Sequence, residues 1–596
     1  MTKPTTTCEA FQITAKVDPS AIALRTVGGA QSVTWQQFAD TVRALAGGLS
    51  GLGVGHQDTV ALMLTNRPEF NIIDVATFHL GAIPFSLYNT SSVDQIAFVL
   101  ANAGSRVVVC ERQFLDKIRA AGGPVEHIVV VDEAPEGTIS LEALERSAKP
   151  DFDFDAAWKS VQPSDILTII YTSGTTGNPK GVQLTHAAML AQMEILSGAI
   201  DFRRGDRQTS YLPSAHVGDR FSAHYAMVVY GVQVTSVSDL RAIAQALPDV
   251  QPTIWAGVPR VWEKIQIALE IAFEEADGVK GKLLNRALDL AKQKVRAQAR
   301  GADLGVLDNV QYKVLDKIVL SKIREKIGLQ HLRWAFSGGA PIPAETVEFF
   351  LALGICICEG WGMSEVGGGV ALNPPGKPKA GSVGPVLPGS EIKIAEDGEL
   401  LVLSPSVMLG YRGDPAGTAE AIDSDGWLHT GDVGRIDEDG YVYITDRKKD
   451  LIITAAAKNV APATIENAVK VSCSLVGQVV PIGDSRKYIS ALVVLDADAA
   501  AAFASKHDLD PSPEVLVGHG GLVETVTKGI VEANSKLNGV EQIKRFRIVG
   551  AFWEPGSDEV TPSMKVRRRA VMVKYAAEIE SMYADPSSDV HEVGVR

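Results

Sequence analysis

The sequence predicts an α/β protein with a large N-terminal domain of parallel-rich sheets, a β-rich subdomain and a small C-terminal α+β domain. The first observation is the alternation of strand-like and helix-like patterns over residues 35–135, which is typical of parallel α/β sheets. The second is a β-rich stretch after about residue 390, followed by the polar, hinge-like run Asp-Arg-Lys-Lys-Asp at residues 446–450. The third is the length of 596 residues, which exceeds what one hydrophobic core serves. We place the domains at residues 1–447 and 448–596.

Each predicted element follows from its pattern of apolar residues. Apolar residues three and four apart predict helices, and short continuous apolar runs predict buried strands. Helices are expected at residues 35–52, 74–80 and 93–102. Strands are expected at residues 59–64, 82–87, 106–110, 166–170, 232–237 and 253–256, and later near 398–403, 440–445, 474–482 and 490–495.

A long helical insertion interrupts this alternation at about residues 261–327. Between Lys280 and Lys326 it holds 12 lysines and arginines but 5 acidic residues, a local charge of +7 within a chain whose net charge is −14. Two interpretations stay open. The segment is either a solvated helical insertion or a patch that contacts an anionic membrane surface, where apolar substrates reside.

The composition narrows the classes of function. With 46% apolar and 21% charged residues the chain is ordinary for a globular protein, and its acidic balance argues against nucleic acid as a partner. The N-terminus lacks an apolar signal core, and no stretch approaches the roughly 20 apolar residues that span a bilayer. Five scattered cysteines without zinc spacing favour a reducing compartment. We expect a cytoplasmic protein whose membrane contact, if it has one, is peripheral.

The most informative motif is the run Tyr-Thr-Ser-Gly-Thr-Thr-Gly-Asn-Pro-Lys-Gly at residues 171–181, directly after a predicted strand. Its glycines let backbone N–H groups approach a ligand, its hydroxyls can donate to oxygens and Lys180 supplies a positive charge, so the run can wrap a polyphosphate. It is not a P-loop, because that motif places glycine directly before its lysine and Pro179 stands there instead. An ordinary turn rich in glycine and threonine is the alternative.

Extended through residues 182–186, Val-Gln-Leu-Thr-His, the run resembles the AMP-binding loop of the adenylate-forming superfamily, which includes acyl-CoA synthetases, luciferases and peptide-synthetase adenylation domains. Further strings extend the resemblance, in the family's order, over about residues 38–569. They are Leu-Pro-Ser-Ala-His (212–216), Ser-Gly-Gly-Ala-Pro (337–341), Glu-Gly-Trp-Gly-Met-Ser-Glu (359–365), Gly-Trp-Leu-His-Thr-Gly-Asp (426–432), Asp-Arg-Lys-Lys-Asp (446–450) and Pro-Ser-Met-Lys-Val-Arg-Arg (562–568).

The resemblance implies a first reaction in which a carboxylate attacks the α-phosphate of ATP and releases pyrophosphate. Both reactants are anions, so the site must neutralise charge and fix geometry. Lys180 and the loop hydroxyls would hold the β- and γ-phosphates, and Glu365 would bind Mg²⁺, the expected metal cofactor. The nucleotide-binding residues that the resemblance implies are Thr172, Ser173, Gly174, Thr175, Thr176, Gly177, Gly338, Gly339, Ala340, Pro341, Trp361, Gly362, Ser364, Asp432 and Arg447.

Several of these residues receive individual roles from the resemblance. Ser364 would donate to the α-phosphate, and Trp361 would offer a flat face to adenine, although a lone tryptophan is more often a core residue. Asp432 would accept from the ribose hydroxyls, and Arg447 would add a ribose or phosphate contact. An aspartate that caps a turn is the alternative for Asp432.

Two more residues would act on the carboxylate and, with Lys180, form the predicted catalytic set. The resemblance places His216 beside the acyl carboxylate, although a lone histidine is most often a satisfied core residue. Lys565, in the small domain, would bind the carboxylate and α-phosphate oxygens as charge develops, a role that suits a compact ammonium group. The arginines at residues 567–569 leave a solvated basic face as the alternative.

The second reaction that the resemblance implies is attack of a CoA thiol on the acyl-adenylate, from which water must be excluded. In the family the small, mobile domain rotates about a hinge between the two reactions, and the motif position makes Lys449 the hinge residue. Residues 454–459 depart from the family pattern, because they read Thr-Ala-Ala-Ala-Lys-Asn where relatives carry a glycine pair. The CoA-channel candidates are Ala456, Ala457 and Lys458, and the alanines either slow thioester formation or are tolerated.

The nature of the acyl group is suggested by further strings. Residues 88–92, 258–264 and 425–434, with the helical insertion, resemble bacterial long-chain fatty acyl-CoA synthetases, and three glycines at 367–369 could leave room for an alkyl chain. We therefore predict an AMP-forming ligase whose partners are ATP, a long-chain fatty acid and CoA. The alternatives are an adenylate-former that passes its acyl group to a carrier protein or another acceptor, and a lipid- or nucleotide-binding protein with decayed catalysis.

Overall fold

The computed structural model describes residues 3–172, 178–376, 378–456, 458–554, 556–561, 565–584 and 589–593. The chain divides into two compact units. The larger comprises residues 1–339, 348–393 and 401–429, and the smaller comprises residues 340–347, 394–400 and 430–596. Helices and strands alternate in both, which confirms the predicted α/β class with a large N-terminal part and a small C-terminal part. The boundary between residues 447 and 448 stays a prediction.

The larger unit contains an eight-stranded sheet whose centre is parallel. In spatial order its strands are Gly410–Tyr411, Lys180–Thr185, Ile166–Thr172, Ile83–Ser86, Thr59–Met63, Val107–Cys110, His127–Val130 and Ile139–Ser140. The last six run parallel to one another, and the first two join antiparallel. Every residue of Thr59–Met63, Ile83–Ser86 and Val107–Cys110 is buried, which explains why these strands read as continuous apolar runs.

Two four-stranded sheets complete the larger unit, and each ends in one antiparallel strand. The first has the order Arg207–Ser210, Gln233–Ser236, Ile22–Thr26 and Ser32–Thr34, and the second has the order Ile254–Ala256, Trp334–Ser337, Ile357–Met363 and Gly368–Leu372. The predicted β-rich stretch forms another sheet, in the order Glu391–Ile394, Glu399–Leu403, Leu428–Ile436 and Val442–Arg447.

The helices that connect these strands begin with ordinary helix signals. Thr34 and Ser92 each cap a helix in a capping box, and Pro68 occupies a first-turn position. Up to residue 250 the α-helices are Thr7–Val17, Trp35–Gly51, Pro68–Phe78, Val93–Ala103, Leu115–Ala121, Leu141–Arg146, Phe154–Ser160, His186–Ser197, Val217–Asp219, Ala226–Tyr230 and Ile243–Val250. Ala344–Ala352 and Pro415–Ala421 follow the insertion.

The predicted insertion is mostly helical, as the sequence indicates. Its helices are Pro259–Glu274, Gly278–Ala299 and Val306–Leu315, and the last continues through a π-helical turn, Asp316–Leu320, into Ser321–Lys326. In the part of the chain that the structure describes, no helix has both the length and the apolar character needed to cross a bilayer.

The smaller unit has its own sheet and core. Its sheet has the order Val476–Ile482, Ile489–Leu495, Ile543–Val549 and His591–Glu592, and a short hairpin pairs Ile452–Ile453 with Asn459–Val460. The helices are Pro462–Ser472, Ala497–His507, Pro513–Leu516, Gly520–Lys536, Arg568–Lys574 and Ala576–Ser581. A Cβ on Gly529 would lie 2.4 Å from Cys473 Cβ, so two of these helices pack closely only because residue 529 is glycine.

Candidate active site

The predicted phosphate loop connects two paired strands of the large sheet. Thr172 ends one strand, Lys180 begins the next, and the two residues are partners in the antiparallel ladder. The Thr172 hydroxyl donates to the Lys180 carbonyl over 3.4 Å. The residues between them that were assigned to phosphate binding, Ser173, Gly174, Thr175, Thr176 and Gly177, lie outside the described residues. The hairpin therefore fixes the two ends of the loop.

Tyr411 is a site residue that sequence reasoning missed. The two-residue strand Gly410–Tyr411 pairs with the other edge of Lys180–Thr185, which places the Tyr411 ring 4.5 Å from the Lys180 ammonium. Its hydroxyl donates to Glu365 Oε1 over 2.9 Å. Burial, with the nearby Glu365 carboxylate, raises the pKa of Tyr411, so the phenol remains a hydrogen-bond donor at neutral pH. Tyr411 thus lies between Lys180 and Glu365 and contacts both. We call these three residues the phosphate-side cluster.

Ser364 and Glu365 lie at the tight connection between Ile357–Met363 and Gly368–Leu372. A Cβ on Gly362 would come within 1.8 Å of the Gly368 carbonyl oxygen, so this hairpin requires glycine at residue 362, where its two strands approach closely. The Glu365 carbonyl also accepts from the Met408 N–H over 2.7 Å. The backbone that carries Ser364 and Glu365 is therefore held on both sides.

The surroundings of Glu365 suit a magnesium ion that also binds phosphate and water, and they do not suit a metal ion whose ligands are all protein side chains. Among the described residues, no group of three or more histidine, cysteine, aspartate or glutamate side chains could hold a metal ion. Mg²⁺ commonly takes one or two carboxylates and completes its shell with phosphate oxygens and water. A single carboxylate near Lys180, at the end of the predicted phosphate loop, fits that pattern, so Glu365 could hold the ion together with a bound nucleotide.

His216 occupies a turn at the start of a short helix. Its Nδ1 accepts from the Gly218 N–H over 2.9 Å, so the neutral imidazole carries its hydrogen on Nε2. A Cβ on Gly218 would lie 2.9 Å from that Nδ1, which makes glycine necessary for this ring position. The side chain is half-buried. His216 therefore has a fixed orientation, with its ring hydrogen on Nε2.

The turn that carries His216 is held by a buried polar network. Asp219 accepts from the Ser210 hydroxyl at 2.9 Å and from the Ser214 hydroxyl at 3.3 Å, and all three residues are buried. Burial raises the pKa of Asp219 to about 7, against the opposing effect of these hydrogen bonds. Asn66 donates to the Leu212 carbonyl over 2.8 Å. These contacts connect the turn before His216 to the helix after it.

Arg220 ties the same turn to the helix Pro68–Phe78. Its Nε donates to the Ser214 carbonyl over 3.1 Å, and its guanidinium pairs with Asp74 over 2.7 Å. The second oxygen of Asp74 accepts from His224 Nε2 over 2.9 Å, and Asp74, Arg220 and His224 are all fully buried. Burial alone would raise the pKa of Asp74, but Arg220 and His224 outweigh it and hold that pKa below its usual value. We call these residues, with Asp219, the histidine-side network.

The predicted adenine residues fall into two groups. Gly338 lies at the end of Trp334–Ser337, and a Cβ there would meet the Phe336 ring at 2.7 Å and the Gly360 oxygen at 3.0 Å. Gly339 has φ of +85°, a conformation that favours glycine. Trp361 is only 8% exposed, so most of its indole is core. Ala340 and Pro341 belong to the smaller unit.

In the smaller unit, Asp432 and Arg447 lie opposite each other on neighbouring strands. They are ladder partners, and Arg447 Nε is 3.2 Å from Asp432 Oδ1. Asp432 is buried, whereas the Arg447 side chain is 43% exposed. The preceding Gly431 N–H donates to buried Glu399 over 2.7 Å, and Lys448 pairs with the other oxygen of Glu399 over 3.2 Å. The structure thus brings together the two residues that were assigned to the ribose.

Lys565 and Lys449 also belong to the smaller unit. The Lys565 N–H donates to the Thr561 hydroxyl over 3.0 Å, and the Lys565 carbonyl accepts from the Thr561 N–H over 2.8 Å. Lys449 is exposed, in a turn where the N–H groups of residues 450 and 451 both donate to the Arg447 carbonyl. Local hydrogen bonds therefore hold the backbone at both positions.

Two of the three CoA-channel candidates, Ala456 and Lys458, lie in the connection of the short hairpin. Thr454 and Lys458 close that turn, because the Thr454 N–H donates to the Lys458 carbonyl over 3.0 Å. Ala456 is exposed and is not among the residues with positive φ, so the backbone strain considered for an alanine there is absent at residue 456. Ala457 lies outside the described residues.

The residues that the sequence did not reveal share one property. Tyr411 reaches Lys180 through strand pairing across more than 200 residues, and Asp74 reaches Arg220 across 146. No local motif marks Asp74 or Tyr411. The sequence signal for the buried network is the charged pair Asp219-Arg220, which follows shortly after His216. In isolation this pair is typical of a solvent-exposed helix start.

Known protein families match most of the chain. A family model described as AMP-binding enzyme matches residues 11–412, and one described as AMP-binding enzyme C-terminal domain matches residues 449–587.

Individual proteins are similar as well. The chain is 50% identical over 450 residues to fadD11 of Mycobacterium tuberculosis, provisionally named a fatty-acid–CoA ligase, covering 75% of this chain and 79% of that one. It is 35% identical over 565 residues to the long-chain-fatty-acid–CoA ligase FadD15 of the same organism, covering 92% of each chain. The adenylation domain of a carboxylate reductase from Mycobacterium chelonae matches 97% of this chain and 91% of its own with a TM-score of 0.74 at 22% identity, which shows the same fold.

Proposed function

Because the chain belongs to the AMP-binding enzyme family, as its motifs predict, we propose that it joins a long-chain fatty acid to CoA through an acyl-AMP intermediate. Membership also confirms the prediction that the protein is an enzyme. The observation that carries the proposal is the phosphate-side cluster, in which Lys180, Tyr411 and Glu365 converge at the end of the predicted phosphate loop.

In the first reaction a carboxylate oxygen of the fatty acid attacks the α-phosphorus of ATP. The bond to the β-phosphate oxygen breaks, and pyrophosphate leaves with its electron pair. Lys180 and the hydroxyl of Thr172 neutralise and orient the leaving pyrophosphate, and Ser364 donates to the α-phosphate. Glu365 would hold Mg²⁺, which when bound neutralises phosphate charge.

His216 orients the attacking carboxylate in this proposal. Its Nδ1 is already occupied by the Gly218 N–H, so its Nε2–H is the group that can donate to a carboxylate oxygen. The histidine-side network supports the role, because a ring that must point at one oxygen needs a turn that does not move.

The smaller unit supplies the remaining groups. We assign Asp432 and Arg447 to the ribose, and Lys565 to the oxygens that join the carboxylate to the α-phosphate. Lys449 serves as the hinge about which the domain from residue 448 onward rotates between the two reactions. These assignments rest on the family motifs and on the local pairing of Asp432 with Arg447.

In the second reaction the CoA sulfur attacks the acyl carbonyl carbon, and the carbon–oxygen bond to AMP breaks. Ala456, Ala457 and Lys458 border the path of the thiol in our proposal. The exposed, unstrained backbone at Ala456 supports a working channel. Transfer to a carrier protein or another acceptor is the competing outcome if that channel does not serve CoA.

A long acyl chain is supported by one observation. FadD15, which is similar to this chain over 92% of both, is named for long-chain fatty acids. The glycines at 367–369 do not add to this support, because a Cβ built on Gly369 would lie in ordinary contact with the Trp361 carbonyl oxygen at 3.8 Å.

The test is pyrophosphate release from ATP and Mg²⁺ with palmitate, measured with and without CoA, and repeated with butyrate. The proposal predicts release that rises strongly with CoA, equal amounts of palmitoyl-CoA and AMP, and little turnover of butyrate. Slow release with trapped acyl-AMP that CoA does not accelerate would favour the competing acceptor. No release with any acid would contradict the proposal.

The assignment of Lys565 has its own test. We predict that Lys565→Ala lowers acyl-AMP formation by at least about 100-fold, since a charge that acts in the transition state is lost, yet spares thioester formation from supplied palmitoyl-AMP. Lys506→Ala, at an exposed position in the same unit, is the matched control. Equal loss in both reactions would contradict the division of labour between them.

A further inference from the structure

An apolar stripe lies exposed on the last helix of the insertion. Val306, Val310, Val314 and Ile318 repeat every four residues, and Leu307 adjoins the first of them. Their exposed fractions are 82, 57, 53 and 54%, and that of Leu307 is 86%. Isolated exposed apolar residues are ordinary, but five along one line of a helix need an explanation.

The stripe belongs to an ordered element. The opposite face of the same segment buries Leu315 and Leu320. The segment also contacts Gly278–Ala299 through Arg286, which donates to Gln311 over 2.7 Å, and through Lys294, whose ammonium lies 4.1 Å from the Tyr312 ring. The exposed stripe is therefore the outer face of a packed helix and does not result from fraying.

Positive charge adjoins this face, and the two acidic residues of the segment are each paired with an arginine. Lys313 and Lys317 are exposed on the same segment, and Lys322 follows one turn later. The insertion carries +7 between residues 280 and 326, although the whole chain carries −14. An apolar stripe beside lysines on an otherwise acidic protein matches the pattern of helices that lie in the interface of an anionic bilayer.

We propose that the helical segment 306–318 docks the protein on an anionic lipid surface, with the apolar stripe among the acyl chains and the lysines at the headgroups. The proposal rests on the proposed function in one respect, namely that long-chain fatty acids reside in membranes. The stripe is about 18 Å long at 1.5 Å per residue, which suits a helix lying in the plane of the membrane. Binding then depends on apolar contact and on charge together.

The test uses sedimentation of the full chain with vesicles of phosphatidylcholine containing about 30% phosphatidylglycerol, a composition chosen for its strong negative surface potential. We expect Leu307→Ser, Val310→Ser and Val314→Ser together to lower the vesicle partition constant at least about tenfold, because three apolar contacts are lost. The matched control replaces the exposed Val17, Val531 and Val540 with serine and should bind like the wild type.

The electrostatic part is tested separately. Lys313→Gln with Lys317→Gln should weaken binding about tenfold at low salt, with a smaller difference at 0.5 M salt, since screening removes the charge contribution. Lys159→Gln with Lys506→Gln, two exposed lysines outside the insertion, is the control. Wild-type binding to pure phosphatidylcholine should be at least about tenfold weaker for the same reason.

Several results would overturn the proposal. They are equal binding of the wild type and the serine triple variant, equal binding to neutral and anionic vesicles, or self-association of the wild type that the triple variant abolishes without any vesicle binding. Thermal melting of each variant checks folding. Since the readout is vesicle binding, a protein that binds vesicles but makes no acyl-CoA would contradict the proposed function and leave the docking surface intact.

Discussion

The phosphate-side cluster and the histidine-side network meet opposite physical demands in the same unit. Lys180 and Glu365 are joined through one tyrosine and remain partly exposed to water. Asp74, Arg220 and His224 are fully buried and hydrogen-bonded to one another. The phosphate-side cluster leaves its charges accessible to a ligand. The histidine-side network uses its charges to hold the turn before His216 in place.

The difference suggests how each region should respond to substitution. An exposed charge can be removed with little effect on folding, because water solvates what remains. A buried charge that loses its partner is left unpaired in a medium of low dielectric, which is strongly destabilising. Substitutions in the phosphate-side cluster should therefore affect activity first, and those in the histidine-side network should affect stability first.

The largest effect is expected from Asp74→Ala. Because it leaves Arg220 buried without its carboxylate, we predict a loss of about 3–5 kcal/mol in the free energy of unfolding. Urea denaturation followed by circular dichroism measures it. Asp289→Ala, at an exposed position in the insertion, should change stability by less than about 0.5 kcal/mol. An equally small change for Asp74→Ala would contradict the claim that the histidine-side network stabilises the fold.

Lys180→Met should produce the converse result. We expect kcat/KM for acyl-AMP formation to fall about 100- to 1,000-fold, since a charge that stabilises the leaving pyrophosphate is lost, with a melting temperature close to that of the wild type. Lys292→Met, at an exposed site in the insertion, should retain full activity. A large drop in melting temperature for Lys180→Met would show that the phosphate-side cluster is structural.

Asp219 should make stability depend on pH. Its pKa is raised to about 7 in the folded state, so the folded protein holds a proton that the unfolded chain releases, and the free energy of unfolding falls as pH rises from about 4 to about 7. Between pH 5 and pH 7 this contribution is about 2–3 kcal/mol at 1.36 kcal/mol per pKa unit. It should be absent in Asp219→Asn.

The measurement is the difference in unfolding free energy between wild type and Asp219→Asn at several pH values. Glu359, whose pKa burial raises to about 8, titrates in both proteins and cancels in that difference. A difference that stays constant from pH 5 to pH 7 would show that Asp219 is not the titrating group.

The smallest effect is expected from Tyr411→Phe. The ring stays beside Lys180, but the hydrogen bond to Glu365 is lost, and we predict that the Mg²⁺ concentration for half-maximal rate shifts about tenfold as the carboxylate is less well positioned. Tyr443→Phe, in the smaller unit, is the control. An unchanged magnesium dependence would separate Tyr411 from the function of Glu365.

The sequence predicted the fold well wherever local pattern decides the structure. Residues 35–52 and 93–102 were expected as helices and form Trp35–Gly51 and Val93–Ala103. The helix expected at residues 74–80 overlaps Pro68–Phe78, which begins six residues earlier and ends two residues earlier than expected. That helix is buried on all sides and lacks an amphipathic pattern, and Pro68 was the only local sign of its start.

The candidate site could be predicted only in part, for a related reason. Lys180, His216 and Glu365 lie in motifs whose residues are adjacent in sequence, so their strings were visible. Tyr411 and Asp74 act through partners more than 200 and 146 residues away in the chain, and no period or motif encodes such pairing. The exposed stripe on the insertion was likewise hidden, because its apolar residues read as a core face until their burial was known.

The central claim is that the reaction passes through acyl-AMP, and the most direct test traces the carboxylate oxygen of the fatty acid. Palmitate labelled with ¹⁸O in its carboxylate is incubated with the enzyme, ATP, Mg²⁺ and CoA, and the AMP is analysed by mass spectrometry. If a carboxylate oxygen attacks the α-phosphorus, that oxygen remains on the phosphate when the thiol displaces AMP, so AMP should carry one ¹⁸O for each palmitoyl-CoA formed. Palmitoyl-CoA formed with unlabelled AMP, or with the label in another phosphate product, would contradict the acyl-AMP mechanism.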